Sequence, residues 1–259
     1  MTEISKRVIL CTKGLNVRFG GLIALNNVDI SVREDEIHGL IGPNGAGKTT
    51  FTNAISGLIR EKRGEIYFKD KAITSLEPHI IAERGISRTF QKAQIIPGLS
   101  CLENVMAGCH TSINTNMLST LFLPCFLRRY EKNEIKEKAR SLIELVGMSG
   151  SFNKSGKALS WMECQLLQLA RSMAASPRLL ILDEPTAGMG LDESRMVGSL
   201  IRQIRDTGVT IILISHDMNL VMKNSDRVSV LDFGEKIFEG HPETMKHSSR
   251  VLEAYLGTE

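Results

Sequence analysis

The chain has 259 residues, enough for one large domain or two small ones and for a sizeable buried core. Apolar residues make up 42% and charged residues 24%, which excludes a disordered or collagen-like chain. Lys and Arg number 32 against 29 Asp and Glu, a net charge of +3 without long basic blocks, so nothing points to a nucleic-acid coat or a polybasic membrane anchor.

Taken in chain order, the N-terminus MTEISKRVIL runs from charge into a strand-like segment without a signal-peptide core. Leu15, Val17 and Phe19, then Val28, Ile30 and Val32, alternate with period two, and a short strand over 65–68 ends in a polar turn at Asp70-Lys71. These predict half-buried antiparallel strands. Between them the apolar run 37–41 enters a glycine-rich turn and a helix from Thr49, the opening of a parallel α/β core.

From about 95 to 175 the pattern is helical. Ile135, Ala139, Leu142, Ile143 and Val146 form one apolar stripe, and Leu166, Leu167, Leu169, Ala170 and Met173 another. The runs 179–182 and 210–215 then read as buried parallel strands, 227–238 as a β-rich flank, and 249–255 as a short final helix. The longest apolar stretch, 118–127, contains Pro124 and falls far short of the ~20 residues that span a bilayer. Cys11, Cys101, Cys109, Cys125 and Cys164 are odd in number with no CxxC pair, so they read as reduced packing thiols in a soluble cytoplasmic protein.

Gly42-Pro43-Asn44-Gly45-Ala46-Gly47-Lys48-Thr49 fits G-x-x-x-x-G-K-[ST]. Its glycines let backbone N–H groups turn inward around phosphate oxygens at the positive end of the following helix. Lys48 would reach the β- and γ-phosphates, and the Thr49 hydroxyl would ligate Mg²⁺. The alternative, a glycine-rich turn without a ligand, is disfavoured by the strand before it and the helix after it. Asp183 and Glu184 emerge from the second aliphatic run at its carboxyl end, where ligands sit in open α/β sheets. Asp183 would hold Mg²⁺ through water, and Glu184 would polarise an attacking water as general base. The other reading of this pair is a cap for the next helix.

Phe19, GPNGAGKTT at 42–50 (which adds Thr50), Arg88-Thr89-Phe90-Gln91, Asp183-Glu184-Pro185 and Ser215-His216-Asp217 stand in the order of an ABC-transporter ATPase subunit, and the chain resembles that family along nearly its whole length. RTFQ, the stretch HDMNLVMKNSDR and the ending VLEAYLG look like the ATP-binding subunits of branched-chain amino-acid importers, and urea and amide importers share much of this. The resemblance implies a P-loop NTPase of ABC ATPase type: a RecA-like parallel-sheet α/β core with an antiparallel β subdomain and a helical insertion. As a single domain it would comprise a core over 1–92 and 176–240, a helical subdomain over 93–175 and a C-terminal extension over 241–259.

By the same resemblance, Phe19 stacks on adenine, Gln91 contacts Mg²⁺ and senses a membrane subunit, and His216 contacts the γ-phosphate. The cofactors implied are ATP and Mg²⁺. The implied partners are a second ATPase subunit (a paralogue or a second copy), integral membrane permease subunits and, indirectly, an extracytoplasmic substrate-binding protein, with no nucleic acid. The implied place is peripheral, on the cytoplasmic face of the membrane. Asp232-Phe233-Gly234 matches a kinase string, but without an HRD-type loop it reads as a β-turn.

One segment departs from the family. ABC ATPases work as head-to-tail dimers in which each P-loop faces a partner's signature, typically LSGGQ; here that stretch is Leu159-Ser160-Trp161-Met162-Glu163. Ser160 is kept for the partner's nucleotide, while Met162 replaces a glycine and Glu163 brings a negative charge. Ser160 and Glu163 also satisfy the S-x-x-E capping box, so both a weakened phosphate contact and a simple helix start stay open. The D-loop, Ala187-Gly188-Met189-Gly190, is likewise unusual. Leu121-Phe122-Leu123-Pro124-Cys125-Phe126 is either a docking patch for a membrane subunit or core of the insertion. Two rivals remain: a soluble non-transport ABC ATPase, which usually carries a long coiled-coil insertion or two fused ATPase halves where this chain has one half and a modest insertion, and a P-loop small-molecule kinase, which would not explain Gln91, Glu184 and His216 together.

Overall fold

The computed structural model describes residues 7–91, 93–109 and 125–256. They fall into two compact units, Met1–Arg88 with Arg178–Glu259, and Thr89–Pro177. The described helices are α1 (Lys48–Ile55), α2 (Pro78–Glu83), α3 (Cys101–Gly108), α4 (Cys125–Leu145), α5 (Trp161–Met173), α6 (Leu191–Asp206), α7 (Met218–Asn224), α8 (Pro242–Met245) and α9 (Ser249–Leu256).

The first unit holds two sheets. One is antiparallel and has five strands, with β2 (Leu22–Val28), β1 (Val8–Phe19), β5 (Lys62–Phe68) and β6 (Lys71–Ala72) in that order and β3 (Ser31–Arg33) paired to β1. Along β1, Leu10 and Thr12 face inward, then Leu15 and Val17. The inward phase slips by one residue near Lys13–Gly14, where the pairing with β5 also shifts register, so a bulge joins two alternating halves. Phe19, at the end of β1, is 53% exposed and outside the core.

The second sheet runs β11 (Glu235–Gly240), β10 (Arg227–Asp232), β4 (Ile37–Ile41), β9 (Thr210–Ile214), β8 (Leu179–Asp183) and β7 (Ile86–Arg88). All neighbours are parallel except the β10–β11 pair. Strands β4, β8 and β9 are buried at every residue, which is why they read as unbroken aliphatic runs. The segment expected as a flank contributes more than that: β10 pairs directly with β4 inside the sheet. Phe233 and Gly234 form the two-residue turn to β11 with φ of +43° and +79°, the left-handed pair that a tight hairpin requires.

A buried polar cluster braces the start of β4. His38 lies 3.2 Å from Glu36 through Nδ1 and 2.9 Å from the Ser229 hydroxyl through Nε2. Arg227 reaches Glu36 at 3.3 Å and also pairs with Glu239. Burial pushes the Glu36 carboxyl up, but His38, the Arg33 N–H and the Arg227 charge together hold it below its ordinary value.

In the second unit, α3, α4 and α5 pack together around Cys101, Val105, Ala139, Ile143, Leu167 and Ala170. Both predicted apolar stripes supply this core. Asn104, fully buried, accepts from the Ile96 N–H at 2.8 Å and donates to the carbonyls of Ile96, Leu99 and Ser100, so its amide is satisfied where it ties the preceding loop. Cys11, Cys101, Cys109 and Cys164 are free thiols, and burial pushes the last three up. The run 121–126 lies outside the described residues, save for the helical backbone of its last two.

Helix α6 was not anticipated, although its signal is present. Asp192 and Glu193 open it, Val197, Leu200, Ile201 and Ile204 line one face, and Gly208 follows its end. Strand β7 left no comparable signal, because three residues are too few for a period.

Candidate nucleotide-binding and hydrolysis site

The loop between β4 and α1 is shaped by its glycines. Gly42 has φ of +152°, and a Cβ there would collide with the Leu231 carbonyl oxygen. Gly47 sits at φ of +102°, where a Cβ would come within 2.7 Å of the Ala24 carbonyl oxygen. Gly47 precedes α1 without any side-chain cap, so the N–H groups of the first turn remain available to an anion. The loop is braced from outside by the Gly234 N–H, which donates to the Ala46 carbonyl at 3.1 Å. Lys48 folds back over it, donating to the carbonyls of Gly42 at 2.7 Å and Pro43 at 2.9 Å. Burial pulls the Lys48 ammonium below its usual range, while Glu184 and Asp183 push it back up. Thr49 is exposed at the loop's exit, and Asn44 and Gly45 are exposed at its crest.

Parallel strands β8 and β9 end side by side, with Asp183 level with Ile214. Glu184 follows at φ of +53°, an unusual conformation for a residue with a Cβ, fixed by its N–H donating to the Ile214 carbonyl at 2.9 Å. Its Oε2 lies 2.7 Å from His216 Nδ1 and accepts the His216 backbone N–H at 3.3 Å. The His216 side chain is 71% exposed, that of Glu184 only 12%. Helix α6 is not capped by the acidic pair: its own Glu193 accepts the Gly190 N–H at 2.9 Å. The first unit thus gathers the P-loop, Lys48, Asp183, Glu184 and His216 at the carboxyl ends of β4, β8 and β9. Tyr255 of α9 also reaches this loop; burial pushes its phenol up, and its hydrogen bond with the Gly42 backbone pulls it back.

The oxygens of Thr49 and Asp183 are the hard donors that Mg²⁺ prefers. Among the described residues no three His, Cys, Asp or Glu side chains form a metal cluster of their own.

Gln91 and Ser160 belong to the second unit. The backbone around Gln91 is held by one polar stripe of α5. Gln165 donates to the Gln91 carbonyl at 3.4 Å and Gln168 to that of Phe90 at 2.8 Å, and Arg171 donates to that of Gln94 at 2.5 Å. This stripe escaped the sequence reading, although its spacing of three in an apolar helix was visible. Ser160 caps α5: its Oγ accepts the Glu163 N–H at 3.2 Å, and Glu163 Oε2 accepts the Ser160 N–H at 2.8 Å. Lys154 Nζ meets both Glu163 oxygens, at 2.7 and 2.8 Å. Lys154 first, then the Ser160 N–H, hold this carboxyl below its ordinary value.

A strand–glycine loop–helix with a lysine at its exit and an acidic strand end beside it defines a P-loop nucleotide-binding protein. The family model described as ABC transporter matches residues 25–187. The chain is 39% identical over 252 residues to the high-affinity branched-chain amino acid transport ATP-binding protein BraF of Pseudomonas aeruginosa, covering 97% of this chain and 98% of that one. It is 36% identical over 250 residues to LivG of Escherichia coli, a protein of the same description, covering 96% and 98%. Among solved structures, the ADP conformation of an ATP-binding cassette of an ABC transporter superposes with a TM-score of 0.83 at 29% identity, over 97% of this chain and 99% of the other. The chain belongs to the ABC transporter family of ATP-binding proteins, and its chemistry is ATP hydrolysis.

Proposed function

We propose that this chain is the ATP-hydrolysing subunit of an importer for branched-chain amino acids or related small amino acids and amides, working as a single ABC ATPase domain on the cytoplasmic face of the membrane. The observation that carries the mechanism is the Glu184–His216 pair at 2.7 Å beside the lysine-bearing loop. Glu184 polarises the attacking water, and His216, oriented by that carboxylate, faces the γ-phosphate. Lys48 and the loop N–H groups neutralise the transferring phosphoryl oxygens. Thr49 and Asp183 would hold Mg²⁺, which would supply further charge neutralisation when bound with the nucleotide. Phe19 is exposed at the end of β1, as an adenine platform must be.

The cargo reading is supported by end-to-end likeness to proteins named for branched-chain amino acids. No described helix is long and apolar enough to cross a membrane, and in this reading separate permease subunits provide the path across it. A second ATPase subunit completes the working pair, and an extracytoplasmic binding protein delivers the cargo. Steady-state phosphate release with Mg-ATP, beside Glu184→Gln, tests the chemistry. ATP-driven uptake of labelled leucine against labelled urea, in vesicles holding the permease subunits, tests the cargo; urea uptake alone would overturn it.

The filled N-terminus of α5 supports a second element of this reading, unequal sites in a heterodimer. This chain's own nucleotide, facing a partner's intact signature, is hydrolysed, and the nucleotide facing Ser160 and Glu163 is held. Equal single-turnover hydrolysis at both sites would overturn it.

A further inference from the structure

Arg88 ends β7 and carries no part of the mechanism above. Its guanidinium donates through Nη2 to Asp183 Oδ2 at 2.7 Å and through Nη1 to Asn53 Oδ1 at 2.6 Å. The Arg88 and Asp183 side chains are 7% and 9% exposed. Three elements therefore meet at one planar group: β7, the carboxyl end of β8, and α1, which begins at the P-loop lysine.

Burying two charges is costly, and an apolar pair of similar volume would serve stability as well or better. What a guanidinium adds is direction. Its donors lie in a rigid plane, so bonds from two nitrogens to two elements fix that plane, and with it the carboxylate it grips.

We propose that Arg88 is a positioning residue for Asp183, anchored through Asn53 to the P-loop helix, and that it sets the affinity of the site for the divalent cation that accompanies the nucleotide. The inference rests on the reading of Asp183 as the carboxylate that holds Mg²⁺.

The test uses the full chain, a fluorescent ATP analogue and a Mg²⁺ titration starting from EDTA, with melting temperatures recorded in EDTA without nucleotide. Wild type tightens its grip on the analogue at a defined Mg²⁺ midpoint. Arg88→Met raises that midpoint by about tenfold, the loss typical when a partner behind a metal ligand is removed. Its affinity in EDTA stays unchanged. Arg88→Lys, which keeps the charge without the fork, falls between the two. Asn53→Ala removes no charge and shifts the midpoint in the same direction by less, which keeps the proposal testable if Arg88→Met fails to fold. A lowered melting temperature with an unmoved midpoint in Asn53→Ala and Arg88→Lys overturns the proposal and leaves a structural ion pair. A wild-type chain whose binding ignores Mg²⁺ overturns the reading of Asp183, and this inference with it.

Discussion

Two helix N-termini in this molecule meet the same electrostatic demand in opposite ways. Helix α1 starts from Gly47 with no side-chain cap, and its first N–H groups are left to whatever anion arrives. Helix α5 starts from Ser160 with a complete capping box, its N-terminus occupied by the Glu163 carboxylate and that carboxylate neutralised by Lys154. The first arrangement trades local stability for a phosphate cradle; the second supplies its own anion. The contrast explains why a helix N-terminus by itself predicts little about ligands: what matters is whether the chain has already filled it.

The strongest way to test the open end is through its catalytic neighbour. Glu184→Gln should slow phosphate release by about a hundred- to ten-thousandfold, the range for a positioned general base, with nucleotide affinity retained; a parallel fall in binding would break the assignment. Next, Gly47→Ala should close the cradle, since its Cβ meets the Ala24 carbonyl at 2.7 Å in a left-handed conformation. A loss of about 1–3 kcal/mol in a urea melt is expected, together with weakened ATP binding.

At the filled end, Glu163→Ala should cost about 1 kcal/mol at neutral pH, as expected for half of a capping box. The sign with pH follows from the carboxyl being held below its ordinary 4.5. Its contribution is complete above that value and disappears as pH falls through the lower, folded-state value, so wild-type and variant melts should converge in acid. A gap that persists at low pH would mean packing, not charge, dominates. Lys154→Met should have the smallest effect, about 0.2–1 kcal/mol, because the pair is partly exposed, and added salt should shrink the difference.

The sequence made some of this visible and hid the rest for identifiable reasons. The P-loop was legible because eight adjacent residues carry both its conformation and its chemistry. Strands β4, β8 and β9 were legible because burial on both faces writes an unbroken aliphatic run. Helix α6 is equally readable, with Asp192 and Glu193 at its start and Val197, Leu200, Ile201 and Ile204 on one face. By contrast, β10 looked like a flank addition, since nothing in 227–232 reveals that its neighbour is β4. The polar stripe of Gln165, Gln168 and Arg171 announced itself by spacing, but not what it would hold.

From the sequence alone came the positions whose meaning is local: glycines that permit left-handed turns, the lysine at a helix start, the acidic pair after four aliphatics, the S-x-x-E box. Only the tertiary structure decided the pairings. Arg88 finds Asp183 across 95 positions, and Glu184 meets His216 across 32. Tyr255 reaches Gly42 from the far end of the chain. Backbone sterics and capping act over a few residues and can be read along the chain. A buried ion pair depends on which strands lie side by side, and that is settled by the packing of the whole sheet.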